Sequence, residues 1–472
     1  MEQSGRGAAI ILTVYDALTR RQLARELADA FLAGPWNAEA LAERGAGCLD
    51  RWPSWIVGLA LRVVAVHRSP PTAGSAELDA LIESFLARRP ARSDAPAPPR
   101  IIRFLHDERP RRDHGWSVTE IESVPELAQR LELSDGQLAW LADVRGWERT
   151  VTAPRLRNYR YQTVPRRSGL VRVIEAPKAR LKEIQRWVLR EILDHIPAHD
   201  AAHGFVSGRS VVSHARLHAG QAVVLRLDLR DFFASIVAGR VYGIFRASGY
   251  PPAVAHALTG VCTNVVPLAV WQQISSESSG ALAQNRFWLG RQLATPHLPQ
   301  GAPTSPALAN LAAFRLDRRL AGLAGSLGLR YSRYADDLTF SGSAGLRSQR
   351  TQLQPLVARI AREEGFVVNR EKSWLGTAAG RQSVCGVVVN VHPNVTRGEY
   401  DQLKAILHNA ARHGPESQNR AAVSDFEAHV RGRIAWVASL NPDRGDKLRR
   451  RFTAIEWGHS PGIAGGAWDA DR

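Results

Sequence analysis

Two adjacent carboxylates, Asp336 and Asp337, lie in the segment RYSRYADDLTFSG, which runs from Arg330 to Gly342. The residues on either side have the composition of strands, so the pair falls at the tip of a predicted hairpin. Two carboxylates about 4 Å apart repel each other by roughly 1 to 4 kcal/mol. A bend lets both side chains serve one site, although neighbours on a strand point to opposite faces. Unless the pair is an ordinary exposed turn, this arrangement predicts a bound cation.

A third carboxylate, Asp228, follows the apolar run VVLRL and precedes two aromatic residues, Phe232 and Phe233. A carboxylate in such surroundings needs a partner, either a helix end that it caps or a charge. If its strand adjoins the predicted hairpin, the three acids form a cluster suited to two magnesium ions, which prefer oxygen ligands and share them with phosphates. Two such ions activate a hydroxyl and stabilise a leaving oxygen. The acids therefore predict phosphoryl-transfer chemistry.

A turn and a helix of small residues follow in HLPQGAPTSPALANLAA, from His297 to Ala313. Small residues allow a backbone or a nucleotide to approach closely. Because Pro and Gly turns precede many helices, this segment supports a catalytic site only together with the acids.

The elements that must position these residues alternate between strands and helices after Tyr159. Residues typical of strands predict them at residues 170–176, 222–229, 329–334, 338–342 and 383–391. Apolar residues at three- and four-residue steps predict helices at residues 15–67, 123–144 and from 396 onward. Ser123 is the expected N-cap of the second helical stretch. The mixture predicts an α+β fold class.

The chain is strongly basic, with 472 residues, a net charge of +17 and an isoelectric point of about 10.7. Its length allows two or three domains with a sizeable core. The charge favours a polyanionic partner, above all nucleic acid, because basic side chains release the counterions of phosphates. Only five of the 62 basic residues are Lys. A codon bias toward Arg and Ala would give the same preponderance of Arg over Lys, and a soluble basic protein without a specific partner would carry the same net charge.

Three widely separated cysteines, Cys48, Cys262 and Cys385, indicate neither a disulfide framework nor a cysteine-based zinc site. The apolar run from Ala8 to Val14 is too short to cross a bilayer, and the sequence contains no apolar segment of membrane length. We therefore expect a cytoplasmic protein in a reducing compartment, without a membrane partner.

Taken in order, these segments resemble the motifs of reverse transcriptases. LRLDLRDFFASI is similar to the first palm motif, LPQGAPTSP to the second and RYADDLTF to the catalytic Tyr-x-Asp-Asp box. GFVVNREKSWL resembles the motif that follows, VCGVVVN the strand at the base of the thumb, and TVPRRSGLVRVIEAPKARLKEIQRWVL the fingers motif with its basic hairpin. The resemblance covers roughly residues 120–460 and implies a right-hand polymerase with fingers, a ferredoxin-like palm and a helical thumb, plus an N-terminal helical extension.

Within that superfamily the chain most resembles the bacterial retron reverse transcriptases. Residues 202–220, AHGFVSGRSVVSHARLHAG, are similar to the retron segment with an Asn-Ala-x-x-His signature; His218 matches it and His214 replaces the Asn. The thumb-proximal Val-Thr-Gly signature reads Val-Cys-Gly at Val384–Gly386. His214 and His218 also have the spacing of a metal-binding pair on a helix, but the sequence offers no third ligand nearby.

The resemblance also divides the chain. We expect an N-terminal helical extension in residues 1–67, a Pro/Ala/Arg-rich linker in 68–118, fingers with the retron-specific region in 119–221, the palm in 222–382, and the thumb with a C-terminal tail in 383–472.

Catalytic roles follow from the resemblance residue by residue. Asp228, Asp336 and Asp337 are expected to be catalytic and to hold two Mg²⁺ ions, with the carbonyl of Leu229 as a main-chain ligand.

Nucleotide contacts follow in the same way. Phe233 matches the steric gate that would clash with a ribose 2′-hydroxyl, and Gln300 would touch the incoming nucleotide. Arg172, with Arg166 or Arg167, would clamp its triphosphate. Lys372 is the candidate proton donor to pyrophosphate.

The resemblance implies an unusual product. Retron enzymes copy part of a structured non-coding RNA from the 2′-hydroxyl of an internal guanosine, and so make branched, RNA-linked multicopy single-stranded DNA. The enzyme, this hybrid and an effector protein form an anti-phage defence unit, so the RNA, the hybrid and an effector are the expected partners. The residues expected to bind RNA are His218, Val384, Cys385, Gly386, Arg431, Arg433, Arg449 and Arg450.

Two alternatives stay open at this point. Another bacterial reverse transcriptase, of the group II intron type or a different defence class, is one; an intron protein would carry a long maturase region, whereas about 86 residues follow Gly386. A polymerase-like RNA-binding protein is the other, but it has no need of three clustered acids. The first 115 or so residues would be an effector-docking module, an RNA-binding extension or a helical cap on the fingers.

Overall fold

The computed structural model describes residues 20–21, 23–32, 36–71, 76–88, 99, 101, 115–144, 146–165, 171–274 and 280–457. The chain divides into two compact units. The first contains Met1–His199, Arg230–Leu316 and Ala361–Val367, and the second contains Asp200–Leu229, Asp317–Ile360 and Val368–Arg472.

Helices supply most of the regular structure of the described residues. Their bounds are α1 (residues 23–32), α2 (Ala38–Gly47), α3 (Ile56–Val66), α4 (Ala76–Ala87), α5 (Val124–Arg130), α6 (Asp135–Leu141), α7 (Ala179–Glu191), α8 (Val211–His218), α9 (Ala238–Ala247), α10 (Pro252–Cys262), α11 (Leu268–Ile274), α12 (Gly280–Leu293), α13 (Ser305–Ala312), α14 (Phe314–Ser326), α15 (Leu346–Glu363), α16 (Arg397–His413), α17 (Phe426–Leu440) and α18 (Pro442–Phe452). Ser123 caps α5 as expected, because its Oγ accepts a hydrogen bond from the Glu126 amide.

In the described part of the chain, three small antiparallel sheets accompany these helices, which confirms the α+β class. The strands are β1 (Tyr159–Pro165), β2 (Val171–Pro177), β3 (Val223–Leu229), β4 (Arg330–Tyr334), β5 (Asp337–Gly342), β6 (Val368–Thr377), β7 (Ser383–Val384) and β8 (Val387–Val388). β1 pairs with β2, β7 with β8, and the remaining four form a sheet in the order β4-β5-β3-β6.

The N-terminal part of the first unit has its own apolar core. Helices α1 to α4 bury Leu27, Phe31, Leu59 and Leu78 against one another. The prediction of a linker over residues 68–118 is therefore wrong for α4, which supplies Leu78, Ile82 and Leu86 to this core. The Ala- and Arg-rich composition that suggested a linker concealed a helical spacing of apolar residues.

The β1–β2 hairpin belongs to the rest of the first unit. The hairpin pairs from Tyr159↔Pro177 to Pro165↔Val171, and Val173 of β2 joins a core with Ala234 and with Leu289 of α12.

The four-stranded sheet of the second unit has two different faces. Val223–Leu229 alternates so that Leu225, Leu227 and Leu229 lie on one face, where Leu338 and Phe340 of β5 are also buried. Residues paired directly across two strands share a face. The opposite face therefore carries Asp228 with its partner Asp337, Arg226 with Thr339, and Val224 with Ser341.

Two strand predictions need correction. The predicted strand at residues 383–391 is a short hairpin, because Cys385 and Gly386 adopt positive φ angles of 46° and 85° and turn the chain between β7 and β8. β6 was not predicted as a strand at all, since its sequence NREKSW is polar and lacks a two-residue apolar alternation. It nevertheless forms the second neighbour of β3.

Among the described residues, no helix is both long and apolar enough to span a membrane.

Candidate active site

The three predicted acids meet at the ends of two paired strands in the second unit. Asp228, near the end of β3, lies directly opposite Asp337, the first residue of β5. The amide of Leu229 donates a 2.9 Å hydrogen bond to the carbonyl of Asp336 and ties the end of β3 to the hairpin tip. The expected pairing of the two strands is confirmed, and the three carboxylates form one cluster of negative charge.

A buried ion pair supports the hairpin tip from beneath. Arg333 and Asp317 are wholly buried, and the guanidinium contacts the carboxylate through Nε at 2.9 Å and Nη2 at 2.6 Å. Arg333 Nη1 also donates to the carbonyl of Ala335 at 3.0 Å. Ala335 has a φ of 54°, a left-handed conformation that costs a non-glycine residue about 1 to 2 kcal/mol. The ion pair therefore holds a strained turn in place, which the sequence did not reveal.

The acids oppose one another electrostatically. Burial, followed by the charges of Asp228 and Asp337, raises the pKa of Asp336 to about 6. Burial also raises the pKa of Asp337, although the nearby Arg226 favours its charged form. Such a cluster is costly without a cation, so the charge pattern fits the divalent metal ions that the sequence predicted.

β6 contributes two polar side chains to Asp228. Lys372 Nζ lies 3.2 Å from both carboxylate oxygens, and Asn369 Nδ2 lies 3.4 Å from Oδ2. The predicted site residue Lys372 therefore does lie at the acids. Asn369 was missed, because β6 was not recognised and its register against β3 was unknown.

The Val384–Gly386 turn reaches the same carboxylates. Cys385 Sγ lies 3.7 Å from Asp337 Oδ2 within thiol hydrogen-bond distance, and burial together with Asp337 raises the pKa of the thiol to about 12. The thiol is therefore protonated and donates to the carboxylate. The Val384 side chain is wholly buried, so a direct RNA contact by that side chain is contradicted. Gly386 is the exposed residue of the three.

The histidines of α8 are structural in this fold. His218 is wholly buried, with Nδ1 2.7 Å from Ser341 Oγ and Nε2 2.7 Å from Ser332 Oγ. His214 Nδ1 shares Ser332 Oγ at 2.7 Å. Burial lowers the pKa of His214 to about 2 and that of His218 to about 3, so both rings are neutral. The prediction that His218 contacts RNA is contradicted, because its ring nitrogens hold α8 against β4 and β5.

The segment before α8 lines the edge of β4. The Arg333 amide donates to the Ala201 carbonyl at 2.7 Å, and the His203 amide donates to the Arg333 carbonyl at 2.8 Å. A Cβ at Gly204 would lie 2.7 Å from the Ala335 amide nitrogen. Only glycine fits against the hairpin tip at this position. The retron-like segment therefore packs on the catalytic hairpin, a contact that no sequence signal gave.

In the first unit, β2 and the turn at Gln300 are joined backbone to backbone. The Glu175 amide donates to the Gln300 carbonyl at 2.8 Å. Gly301 has a φ of 132°, and a Cβ there would lie 2.9 Å from the Glu175 carbonyl oxygen. Arg172 lies three residues before Glu175 on the same strand and is exposed.

A buried polar network fixes that junction. His297 Nε2 lies 2.9 Å from Glu175 Oε1, its Nδ1 lies 2.7 Å from the Thr295 carbonyl, and Asn264 donates to Glu175 Oε2 at 2.7 Å. Burial disfavours the imidazolium, but Glu175 outweighs it and raises the pKa of His297. Both ring nitrogens contact oxygen atoms, so the ring anchors the turn that carries Gln300.

Phe233 lies in the same unit, half-buried beside Phe232, with ring centroids 5.7 Å apart. Its neighbour Ala234 packs with Val173 of β2. Arg166 and Arg167 lie outside the described residues, so the structure adds nothing to their predicted role.

The predicted thumb arginines differ in their surroundings. Arg431 pairs with Glu427 and Arg449 with Asp446, each within one helix. Arg433 Nη2 lies 3.4 Å from Gln402 Oε1, and Arg450 is exposed. Acidic neighbours compete with phosphate for Arg431 and Arg449, which favours the other two as phosphate contacts.

An arginine-lined cleft was not foreseen from the sequence. It has a volume of about 510 Å³, and Arg381, Arg397 and Arg444 line it beside the N-cap residue of α16, Thr396. Arginines and the amino end of a helix both favour an anion.

Comparison with known proteins gives a family match and several similar relatives. The profile of the family described as Reverse transcriptase (RNA-dependent DNA polymerase) matches residues 164–397. The retron Mx65 reverse transcriptase of Myxococcus xanthus is 41% identical over 348 residues, which cover 74% of this chain and 75% of that protein. The retron Mx162 reverse transcriptase of the same organism is 35% identical over 366 residues, 74% of this chain and 70% of that protein. The retron Ec86 reverse transcriptase of Escherichia coli is 30% identical over 308 residues, 64% of this chain and 83% of that protein.

The acid cluster at the strand ends and the matched family define an RNA-directed DNA polymerase with the right-hand polymerase fold. Within that class, the chain belongs to the retron reverse transcriptases. Enzymes of this class copy an RNA template into DNA with the help of divalent metal cations.

Proposed function

We propose that this enzyme copies a structured non-coding RNA into branched, RNA-linked multicopy single-stranded DNA, and that it does so within an anti-phage defence unit. The observation that carries the catalytic part is the pairing of Asp228 with Asp337, with Asp336 at the adjoining turn. The retron identity of the relatives supports the nature of the product.

The acids would hold two Mg²⁺ ions. Asp228, Asp336 and Asp337 would be the carboxylate ligands, with the Leu229 carbonyl as a main-chain ligand. The metal ions would stabilise the attacking and leaving oxygens of nucleotidyl transfer. The residues around the acids keep the ligands in place: Cys385 donates to Asp337, and the Arg333–Asp317 ion pair holds the turn. Lys372 at Asp228 would give a proton to the leaving pyrophosphate.

Substrate selection would rest on the first unit. The exposed Arg172, with Arg166, would clamp the triphosphate, and Gln300, on a turn fixed by the Glu175–His297 network, would contact the nucleotide. Phe233 would exclude a ribose 2′-hydroxyl. Each role rests on the match of that residue to the motifs of the family.

The subdomains would follow the family pattern. The sheet order β4-β5-β3-β6 is that of a ferredoxin-like fold and supports a palm in residues 222–382. The β1–β2 hairpin would belong to fingers in residues 119–221, and helices α16 to α18 to a thumb in residues 383–472. Residues 1–67 would be an N-terminal helical extension, to which α4 adds its core residues.

RNA stems would be bound by the thumb through phosphates and shape, as duplex RNA usually is. Gly386, Arg433 and Arg450 would contact the RNA. Arg431 and Arg449 would contact phosphates only by exchanging their ion pairs with Glu427 and Asp446. The cleft lined by Arg381, Arg397 and Arg444 has the charge for a further phosphate.

Primer extension tests the catalytic assignment. The purified protein with Mg²⁺, deoxynucleotides and a primed RNA template should extend DNA, and Asp336→Ala with Asp337→Ala should abolish extension. Glu43→Gln, a change of an exposed acid on α2, is the control and should leave extension intact. Normal polymerisation by the double variant would show that Asp336 and Asp337 are not catalytic.

The product needs its own test. Nucleic acid that copurifies with the enzyme should contain DNA joined to RNA through a 2′ linkage, which a debranching enzyme separates into two strands. Strands that separate without debranching would overturn the proposed product and leave the polymerase assignment untouched.

An effector encoded beside the gene should copurify with the enzyme, and loss of phage resistance in the double variant would link defence to DNA synthesis.

A further inference from the structure

A group of possible metal ligands lies far in sequence from the polymerase acids, between α1 and α10 of the first unit. Glu26 and Asp29 are three residues apart on α1, so they share one face of that helix. His256 is on α10. One ligand atom from each of the three lies within 4.8 Å of the others.

Glu26 is buried without a hydrogen bond. Its side chain is 2% exposed, and neither carboxylate oxygen accepts a hydrogen bond in the described part of the chain. His256 Nε2 lies 3.0 Å from Glu26 Oε1 but is not aligned to donate. In a tetrahedral zinc site with bonds of roughly 2.0 to 2.2 Å, ligand atoms are about 3.3 Å apart. The observed contact is therefore close to the edge of a coordination tetrahedron.

The surroundings add negative charge. Asp79 of α4 faces the same group, and its Oδ1 is buried without a hydrogen bond, while Oδ2 lies 4.0 Å from Arg25 Nε. Burial, then Asp29 and Asp79, raise the pKa of Glu26 well above its usual value. Burial also raises the pKa of Asp79 to about 6. The nearby Arg25 is half-exposed.

We propose that Glu26, Asp29 and His256 bind a divalent transition-metal ion, with zinc as the ion best suited to them. An imidazole and two carboxylates suit zinc, whereas magnesium prefers oxygen ligands alone. The ion would cancel the buried charge and would join the N-terminal helices to α10. This site is separate from the polymerase chemistry.

Zinc uptake tests the proposal. The full-length chain with Asp336→Ala and Asp337→Ala, which lacks the polymerase acids, is freed of metal with a chelator and then dialysed against zinc and excess magnesium. Elemental analysis should find about one zinc ion per chain, and thermal unfolding should move to higher temperature with zinc. Glu26→Gln or His256→Gln in the same background should abolish both effects. The controls Glu43→Gln and His408→Gln, at exposed positions, should leave both effects intact.

Absence of zinc uptake by the parent, or uptake that survives Glu26→Gln and His256→Gln, would overturn the proposal. X-ray absorption at the zinc edge of the parent protein keeps the test decisive if a variant fails to fold. The spectrum should show that zinc is bound by nitrogen and oxygen ligands alone. Sulfur ligands would assign the zinc to cysteine and reject the site.

Discussion

The ionised carboxylate of Asp336, the form expected to bind metal, is the form that destabilises the metal-free fold. Its pKa is raised from 3.8 to about 6, so the folded state holds the proton more tightly than the unfolded state. The stabilisation from this proton is complete below about pH 4 and is lost as the pH rises through 6. Above that window the ionised carboxylate opposes folding unless a metal ion is bound.

Asp336→Asn should therefore stabilise the metal-free protein at neutral and alkaline pH. We expect the free energy of unfolding to rise by on the order of 1 to 3 kcal/mol, while polymerase activity is lost. Urea unfolding in a chelator, compared with the same measurement below pH 4, checks this, because the gain should vanish at low pH. A variant that is less stable than the parent in alkaline chelator would contradict the electrostatic account.

Cys385 presents a matched pair of substitutions. Its thiol donates to Asp337, and a Thr hydroxyl, the residue of the family signature, can donate as well. Cys385→Thr should keep activity, whereas Cys385→Val, of similar shape without a donor, should weaken metal affinity by about 10- to 100-fold. The measurement is the Mg²⁺ concentration at half-maximal extension. Equal Mg²⁺ dependence of the two variants would show that the turn acts by packing alone.

At the scale of single residues, the sequence predicted those features of the site that depend on residue type alone. The argument from carboxylates in apolar strands singled out Asp228, Asp336 and Asp337, which the structure brings together; their metal-binding role stays a prediction. Contacts set by tertiary register were not predictable, such as Asn369 at Asp228 or Cys385 at Asp337. His218 and Val384 were assigned to RNA because a signature does not distinguish a binding residue from one that positions the site.

At the scale of elements, the β4–β5 hairpin depends on the ion pair beneath it. Arg333→Ala would leave the Asp317 carboxylate buried without its cation, with the Tyr331 hydroxyl still donating to it at 2.8 Å, and should cost about 3 to 5 kcal/mol. Replacing both partners, Arg333→Met with Asp317→Leu, should recover part of that stability. Removing both charges removes their desolvation penalty, whereas the Tyr331 hydroxyl loses its acceptor.

Activity should behave differently in this pair of variants. The double variant also lacks the hydrogen bond to the Ala335 carbonyl, so its kcat should stay low although chemical unfolding shows a stable fold. Full recovery of kcat would mean that the ion pair serves stability alone.

The contact between Gly204 and the hairpin tip gives a second element-scale test. In Gly204→Ala the new Cβ would meet the Ala335 amide at 2.7 Å, so the tip must move. A displacement of about 1 Å at a catalytic group can reduce the rate about 100-fold. Gly322→Ala on α14, where nothing lies within 4 Å, is the control and should be neutral or stabilising by up to about 1 kcal/mol. Single-turnover extension rates compare the two, and equal rates would refute the contact.

Predictability of elements followed the strength of their periodic patterns. β3 and β5 were found because they are rich in apolar and β-branched residues, and β4, RYSRY, because its two tyrosines are typical of strands. β6 was missed since it is polar along much of its length, and its place beside β3 depends on pairing with a distant strand. The Cys385–Gly386 turn was read as strand, since a positive φ at Cys385 has no signature in a β-branched run.

For the whole molecule, the net charge of +17 makes RNA binding sensitive to salt. Arg450→Gln should weaken RNA binding at every salt concentration and reduce the slope of log affinity against log salt by about 1. Arg62→Gln, at an exposed position of α3 in the N-terminal helices, is the matched loss of one charge. Fluorescence anisotropy across a salt series checks this, and identical slopes for both variants would exclude a phosphate contact by Arg450.

For the whole molecule, the fold class, the reverse transcriptase family and the order of the motifs could be predicted from the sequence. The expected subdomain boundaries stay a prediction. Each of the two compact units is assembled from three separate stretches of chain, an arrangement that a sequence read in consecutive blocks does not give. The helical core of α1 to α4 shows the same difficulty on a smaller scale, because α4 joins it from a stretch with the composition of a linker.

The central position of β3 has a consequence for synthesis of the chain on the ribosome. Its two partners, β5 and β6, follow it by more than 100 residues, and Thr377 emerges about 150 residues after Val223. At roughly 5 to 20 residues per second, translation leaves both edges of this apolar strand without a partner for on the order of 5 to 20 seconds, until β5 is made. The nascent enzyme therefore passes through an interval in which chaperones have a target and the polymerase is inactive.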